Sequence, residues 1–241
     1  MKNVIVTGAS RGLGLKITET LLRNNYNIIV INRTSTDELD KLKIQHPDSL
    51  MIIQYDLSDI ENINNEIFKK AIGYDKIIHG LINNAAVAYD DIITNLNIDK
   101  LEYMYRINVF SPMILTKYVI RHMLLHNIPG HIIHVSSISA HTGYKGLAMY
   151  ASTKGALEAF SRNTAREWGK MGIRSNCIVP GFMETEMSSR LTLEQKNKIY
   201  SRTCLNKPTI IDSVSHTILF LLSEDALSIT GQNIHIDSGT I

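Results

Sequence analysis

Seven short β-rich runs recur along the chain with helix-like segments between them: residues 4–7, 28–31, 51–55, 77–82, 131–135, 174–179 and 233–236. Several are almost continuously apolar, the pattern of strands buried on both faces, which occur where helices cover a parallel sheet from either side. The intervening stretches 13–24, 59–71, 99–126, 150–171 and 210–223 carry apolar residues at mixed spacings of three and four, as a helix with one buried stripe does. Strand alternating with helix is the βαβ unit. The expectation is therefore an α/β fold: one doubly wound, Rossmann-type domain over residues 1–241, with a seven-stranded parallel sheet flanked by helices. Pro112 lies inside the third helical stretch and, lacking an amide donor, should start a new helix or kink one there.

Length and composition agree with that reading. At 241 residues and 44% hydrophobic content the chain can bury a sizeable core, although two small domains remain possible on length alone. A balance of 25 Lys+Arg against 23 Asp+Glu gives no field that would draw in nucleic acid or an acidic membrane. No apolar stretch approaches the roughly 18 residues of a membrane span, and the N-terminus enters its first strand without a signal-like segment. A cytoplasmic chain with no nucleic-acid or membrane partner is expected. Cys177 and Cys204 are too few for a metal framework, and the histidines lack metal-motif spacing, so no metal site is expected. Residues 182–208 form a polar, helix-prone excursion after the sixth strand, read either as a substrate-covering segment or as a plain surface helix.

The first strand runs directly into Thr7-Gly8-Ala9-Ser10-Arg11-Gly12-Leu13-Gly14 and then a helix. Glycines are needed where a backbone turns tightly and approaches a pyrophosphate, and the helix N-terminus adds amide donors and partial positive charge. The spacing is Gly-x-x-x-Gly-x-Gly, a variant of the usual dinucleotide fingerprint. Further on, Tyr150 and Lys154 stand four apart, on one helix face, thirteen residues beyond Ser137.

The Thr-Gly-x-x-x-Gly-x-Gly pattern resembles the short-chain dehydrogenase/reductase family, and the likeness continues along the whole chain. Asn83-Asn84-Ala85-Ala86 stands where the family has Asn-Asn-Ala-Gly; the final alanine is tolerable only if its φ is negative. Tyr150-Ala151-Ser152-Thr153-Lys154 matches Tyr-x-x-x-Lys, and the spacing selects Ser137 over Ser136. Asn108 matches the asparagine at a break in the long crossover helix, with Ser111-Pro112 where glycine is frequent. Pro180-Gly181-Phe182-Met183-Glu184-Thr185 matches Pro-Gly-x-x-x-Thr, Asp56-Leu57 matches the pair bordering adenine, and Ser238 stands where glycine is common.

The resemblance implies catalytic roles for Asn108, Ser137, Tyr150 and Lys154. It implies cofactor contacts from Gly8, Ser10, Arg11, Gly12, Leu13, Gly14, Asn32, Arg33, Asp56, Leu57, Asn84, Ala85, Tyr150, Lys154, Pro180, Gly181 and Thr185. Tyr150 would be the general acid, its phenol lowered by Lys154 together with oxidised nicotinamide. Ser137 would stabilise the developing alkoxide, Lys154 would hold ribose hydroxyls, and Asn108 would position a relay water. The second strand ends in Ile31-Asn32-Arg33-Thr34 with no acid before Asp37, so NADP(H) is expected, its extra phosphate met by Arg33 and Arg11.

Among family members the chain most resembles 3-oxoacyl-carrier-protein reductases, which implies a small carbonyl substrate carried on acyl-carrier protein. No Lys or Arg occurs between Arg121 and Lys145, where such enzymes tend to be basic, and Lys170 replaces them incompletely. A sugar, small ketone or secondary-metabolite carbonyl is the alternative, and a non-catalytic nucleotide-binding regulator a remote one. Helices 99–126 and 150–171 are those through which the family builds dimers and tetramers, so a homo-tetramer or dimer is expected.

Overall fold

The computed structural model describes residues 1–185 and 191–240. Residues 186–190 of the expected substrate-covering segment lie outside the described residues. Seven strands, β1 (Asn3–Thr7), β2 (Asn27–Asn32), β3 (Leu50–Gln54), β4 (Gly80–Asn83), β5 (Gly130–Val135), β6 (Ile173–Pro180) and β7 (Asn233–Ile236), form one parallel sheet in the order β3-β2-β1-β4-β5-β6-β7. The order reverses between β1 and β4. Loops leaving the carboxyl ends of those two strands diverge, and the crevice they leave is where such sheets bind ligands.

Helices α1 (Gly12–Arg23), α2 (Asp37–Gln45), α3 (Ile98–Tyr105), α4 (Ser111–Leu125), α5 (Ala148–Trp168), α6 (Leu193–Tyr200) and α7 (Ile211–Leu222) are joined by a π-type helix at Asn64–Ile72. Strand side chains alternate between two cores. Val4, Val6, Ile28 and Val30 meet Ile17 and Leu21 of α1 and Ile218 and Leu221 of α7. Ile5, Ile29 and Ile31 meet Ile67 and Phe68 of the π-type helix and Leu115 and Val119 of α4 on the other face. No helix among the described residues is long and apolar enough to cross a membrane.

The expected helix 99–126 is divided. A wider π turn at Arg106–Phe110 separates α3 from α4, and Pro112 occupies the first turn of α4, where its missing amide costs nothing. Helix α2 was not among the sequence expectations, because it buries only Leu39 and Leu42. It is held at its start by Thr36, whose hydroxyl accepts from the Leu39 amide, and by Asp37, Glu38 and Asp40 in the first turn.

Two histidines of β5 are sealed in the sheet. His131 hydrogen-bonds the Leu221 carbonyl through Nδ1, and its Nε2 faces the Asn176 amide nitrogen at 2.9 Å. His134 Nδ1 meets Asn83 Nδ2 at 3.2 Å. Burial first, then nearby positive charge, pushes both imidazoles down to about 3. The folded chain keeps them neutral while the unfolded chain protonates below its ordinary value, so their stabilisation is complete above about 6.5 and is lost as pH falls towards 3. Acidification from pH 6.5 to 5 is expected to cost about 3 kcal/mol for the pair. Thermal unfolding at the two pH values checks this: a flat profile would contradict it, and His134→Gln should reduce the slope.

Candidate active site

The glycine-rich turn is shaped by contacts that a side chain would block. Gly8 has φ +66°, and a Cβ there would lie 2.7 Å from Ala85 Cα; a Cβ on Gly14 would lie 2.2 Å from the Gly8 carbonyl oxygen. Asn84 fixes this turn from the next strand, its Nδ2 donating to the carbonyls of Thr7 and Gly8 at 3.0 Å each. The Thr7 hydroxyl accepts from the amides of both Asn84 and Ala85 at 3.0 Å. Asn84 and Ala85 thus build the cradle from beneath. Ala86 does not have positive φ, so its methyl brings no backbone strain.

Gly12 faces Thr185 across the crevice: a Cβ on Gly12 would stand 3.9 Å from the threonine Cβ and Cγ2. Gly181 is needed for another close approach, since a Cβ there would meet Thr209 Oγ1 at 2.6 Å and Asp237 Cα at 2.7 Å. Pro180 ends β6 beside Ile236, and the Gly181 amide continues that pairing by donating to the Ile236 carbonyl at 2.9 Å. Gly12 opens α1 with φ +55° and no side chain, so the helix start presents its first backbone amides, a geometry that fits a pyrophosphate.

At the end of β2, Asn32 is turned inward. It is buried, and its Oδ1 accepts from the Ala9 amide at 2.6 Å, so it shapes the glycine turn and does not offer that oxygen to a ligand. Its Nδ2 has no hydrogen-bond partner among the described residues. The Thr36 hydroxyl donates to the Ser10 carbonyl at 2.6 Å, which ties the Ser10-Arg11 turn to the loop carrying Arg33. Arg33 is exposed and donates through Nη1 to the Tyr103 hydroxyl at 3.1 Å. Asp56 caps its own turn by accepting from the Ser58 amide at 2.9 Å, and Leu57 is buried in the second core.

The four expected catalytic residues converge at the carboxyl ends of β4 and β5. Ser137 follows β5 and opens a tight turn at Ile138–Ala140, while Tyr150 and Lys154 share one face of α5. Lys154 is buried, donates to the Val135 carbonyl at 2.8 Å and sits 5.5 Å from the centre of the Tyr150 ring. Asn108, in the π turn, is fully buried. Its Oδ1 accepts from the Val87 amide at 2.9 Å, and its Nδ2 donates to the Val87 carbonyl at 2.9 Å and the Thr153 hydroxyl at 3.1 Å. Thr153 in turn donates to the Tyr150 carbonyl at 2.7 Å, so Asn108 clamps the segment after β4 to the helix that carries the tyrosine.

Burial pushes the Tyr150 phenol up to about 12, opposed by a hydrogen bond from Ser137 and reinforced by the charge of Asp90. Burial pushes Lys154 down to about 8. The expected lowering of the phenol does not come from Lys154 alone. Its ammonium lies over the ring and is committed to a carbonyl, and desolvation of the phenolate outweighs it.

Sequence reasoning missed two groups that support the site. Ser139 donates to Ser137 from both its amide and its hydroxyl. Glu158, buried on α5, accepts from Ser136 at 2.5 Å and Asn233 at 2.6 Å, and pairs with His141 Nε2 at 2.9 Å. Ser136 therefore faces away from Ser137, as expected. No spacing rule signals either group, because both depend on how the loop after β5 turns.

A family model described as Enoyl-(Acyl carrier protein) reductase matches residues 8–240. The chain is similar to a 3-oxoacyl-(acyl-carrier-protein) reductase of Buchnera aphidicola, 33% identical over 241 residues, covering 99% of this chain and 96% of the relative. It is also similar to carbonyl reductase (NADPH) 2 of Sus scrofa, 31% identical over 237 residues, covering 98% and 94%. Among solved structures, 4-hydroxyisoleucine dehydrogenase complexed with NADH superposes with a TM-score of 0.93 at 27% identity, covering 100% of this chain and 98% of the other.

Proposed function

The chain belongs to the short-chain dehydrogenase/reductase family of NAD(P)-dependent oxidoreductases, and on that premise we propose that it is an NADPH-dependent reductase of carbonyl groups. The observation that carries this reading is the placement of Ser137, Tyr150 and Lys154 at the carboxyl ends of the strands, on the same side of the sheet as the glycine turn after β1. A nicotinamide bound there would supply hydride to a carbonyl carbon, or take it back from the alcohol.

The protein's own residues handle the oxygen. Tyr150 donates its proton to the oxygen as it becomes an alkoxide. A phenol held up at about 12 is fully protonated at neutral pH and ready for that direction. Ser137 donates a hydrogen bond to the same oxygen; in the bound cofactor Lys154 would hold the ribose hydroxyls, and Thr185 and the backbone at Gly181 would hold the carboxamide. The side chain of Asn108 is committed to Val87 and Thr153, so any relay water would be held by its main chain.

Arg33 supports NADPH as the cofactor, since among the described residues it bonds the Tyr103 hydroxyl and forms no ion pair, at the end of β2 where an acid would otherwise receive the ribose hydroxyls. NADPH should exceed NADH in kcat/KM by about tenfold or more, the worth of a charge-assisted hydrogen bond, and Arg33→Ala should erase the difference. Equal values in the native enzyme would remove the argument.

The leading substrate class is a 3-oxoacyl thioester. A small ketone, sugar or secondary-metabolite carbonyl is favoured instead by the missing basic patch. His131 and His134 are sealed and neutral, and His122 is buried against Phe68 and Tyr74. Lys170 precedes β6, at the amino ends of the parallel strands, whereas the site lies at their carboxyl ends. Comparing NADPH consumption with acetoacetyl groups on coenzyme A and on acyl-carrier protein, beside simple ketones and keto-sugars, separates the two readings. Preference for the carrier-bound substrate supports the first, and activity confined to ketones or sugars supports the second.

Residues 182–208 would cover the substrate. Glu184 supports this by accepting from Tyr200 at 2.6 Å and Lys196 at 3.2 Å, which ties α6 to the segment that ends in Thr185. A homo-tetramer through α4 and α5 is the assembly we expect, and a monomer by light scattering would refute it.

A further inference from the structure

Ser137 Oγ accepts two hydrogen bonds from one residue, the amide of Ser139 at 3.2 Å and the hydroxyl of Ser139 at 3.0 Å. A serine hydroxyl carries one hydrogen and two lone pairs. With both lone pairs occupied, the hydrogen of Ser137 is what remains for other partners. Ser139 is itself only 5% exposed, in the tight turn at Ile138–Ala140 that Ser137 caps, so its hydroxyl is held in place by the turn.

The neighbouring serine cannot take over this role, because Ser136 donates to Glu158 on the other side of the strand. The two donors of Ser139 also differ in kind. The amide is fixed by the backbone and survives any side-chain change. The hydroxyl is the donor that fills the second lone pair, and without it the Ser137 hydroxyl has a free acceptor position towards which it can rotate.

We propose that Ser139 is a positioning residue that fixes the direction of the Ser137 proton, so that the reacting oxygen meets a donor and not a lone pair. The proposal rests on the reading of Ser137 and Tyr150 as the groups that handle the substrate oxygen. Its physical content is preorganisation: a donor already aimed at the site of developing charge needs no reorientation as the charge appears. Nothing is added to substrate binding, so the effect falls on kcat and leaves KM in place.

The test is a double-mutant cycle on the full-length enzyme with NADPH and acetoacetyl-coenzyme A or diacetyl as the probe. Ser139→Ala should lower kcat about tenfold with little change in KM, and Ser139→Ala added to Ser137→Ala should change kcat less than about twofold, because the group it acts through is already gone. Equal losses in both backgrounds would overturn the proposal and show a structural role. A neutron structure in heavy water provides a readout that needs no substrate. Deuterium on Ser137 directed towards Tyr150, with the Ser139 deuterium directed at Ser137, supports the proposal. Deuterium on Ser137 directed at Ser139 Oγ overturns it. Failure of the unmodified enzyme to turn over either probe would count against the reductase reading, and the neutron map would still decide the role of Ser139.

Discussion

Tyr150→Phe should lower kcat by about two to four orders of magnitude, the range over which a positioned general acid contributes, while NADPH affinity stays close to that of the unmodified enzyme. The substitution removes one oxygen and keeps the ring against which Lys154 rests. The lysine keeps its bond to the Val135 carbonyl, so its capacity to hold ribose hydroxyls is unaffected. What disappears is the proton that the phenol gives to the substrate oxygen. Steady-state turnover together with a fluorescence titration of NADPH separates the two effects. Turnover near that of the unmodified enzyme would overturn the assignment.

Ser137→Ala should cost about two to three orders of magnitude in kcat, as loss of one preorganised donor to a developing oxyanion does elsewhere. The alkoxide loses its hydrogen bond, and before substrate arrives the Tyr150 phenol loses the neighbouring hydroxyl that opposes its upward shift. The second effect predicts that in the oxidation direction, where Tyr150 is the base, the ascending limb of the rate profile moves to higher pH in the variant. A loss of only a few-fold, with the profile unmoved, would make Ser137 a bystander.

The sheet was readable because its strands are nearly continuous runs of Val, Ile and Leu, and because glycines mark the β1–α1 turn. Helix α2 was not. Only two of its residues are buried, and the evidence for it lies in Thr36 and the three acids of its first turn, a capping signal and not a periodic one. A helix start or kink was expected at Pro112 and a break at Asn108 was implied by the family resemblance, yet the π geometry that turns Asn108 towards Val87 and Thr153 follows from packing between α3, α4 and α5.

Site residues were legible where the backbone needs a particular residue type, as at Gly8, Gly12, Gly14 and Gly181. Orientation was not legible in the same way: Asn32 turns its Oδ1 to the glycine turn, and Lys154 bonds the Val135 carbonyl. Ser139 and Glu158 carry no motif at all, since their roles exist only once the loop after β5 has closed on α5 and β7.

Hydride transfer is tested most directly by following the label from NADPH deuterated at C4, prepared separately in each configuration, with the most active carbonyl from the substrate panel. The product alcohol should gain one mass unit at its carbinol carbon with one of the two labelled cofactors and none with the other. Consumption of NADPH without label in the product, from either cofactor, would contradict the central claim that Ser137, Tyr150 and Lys154 serve carbonyl reduction at this site.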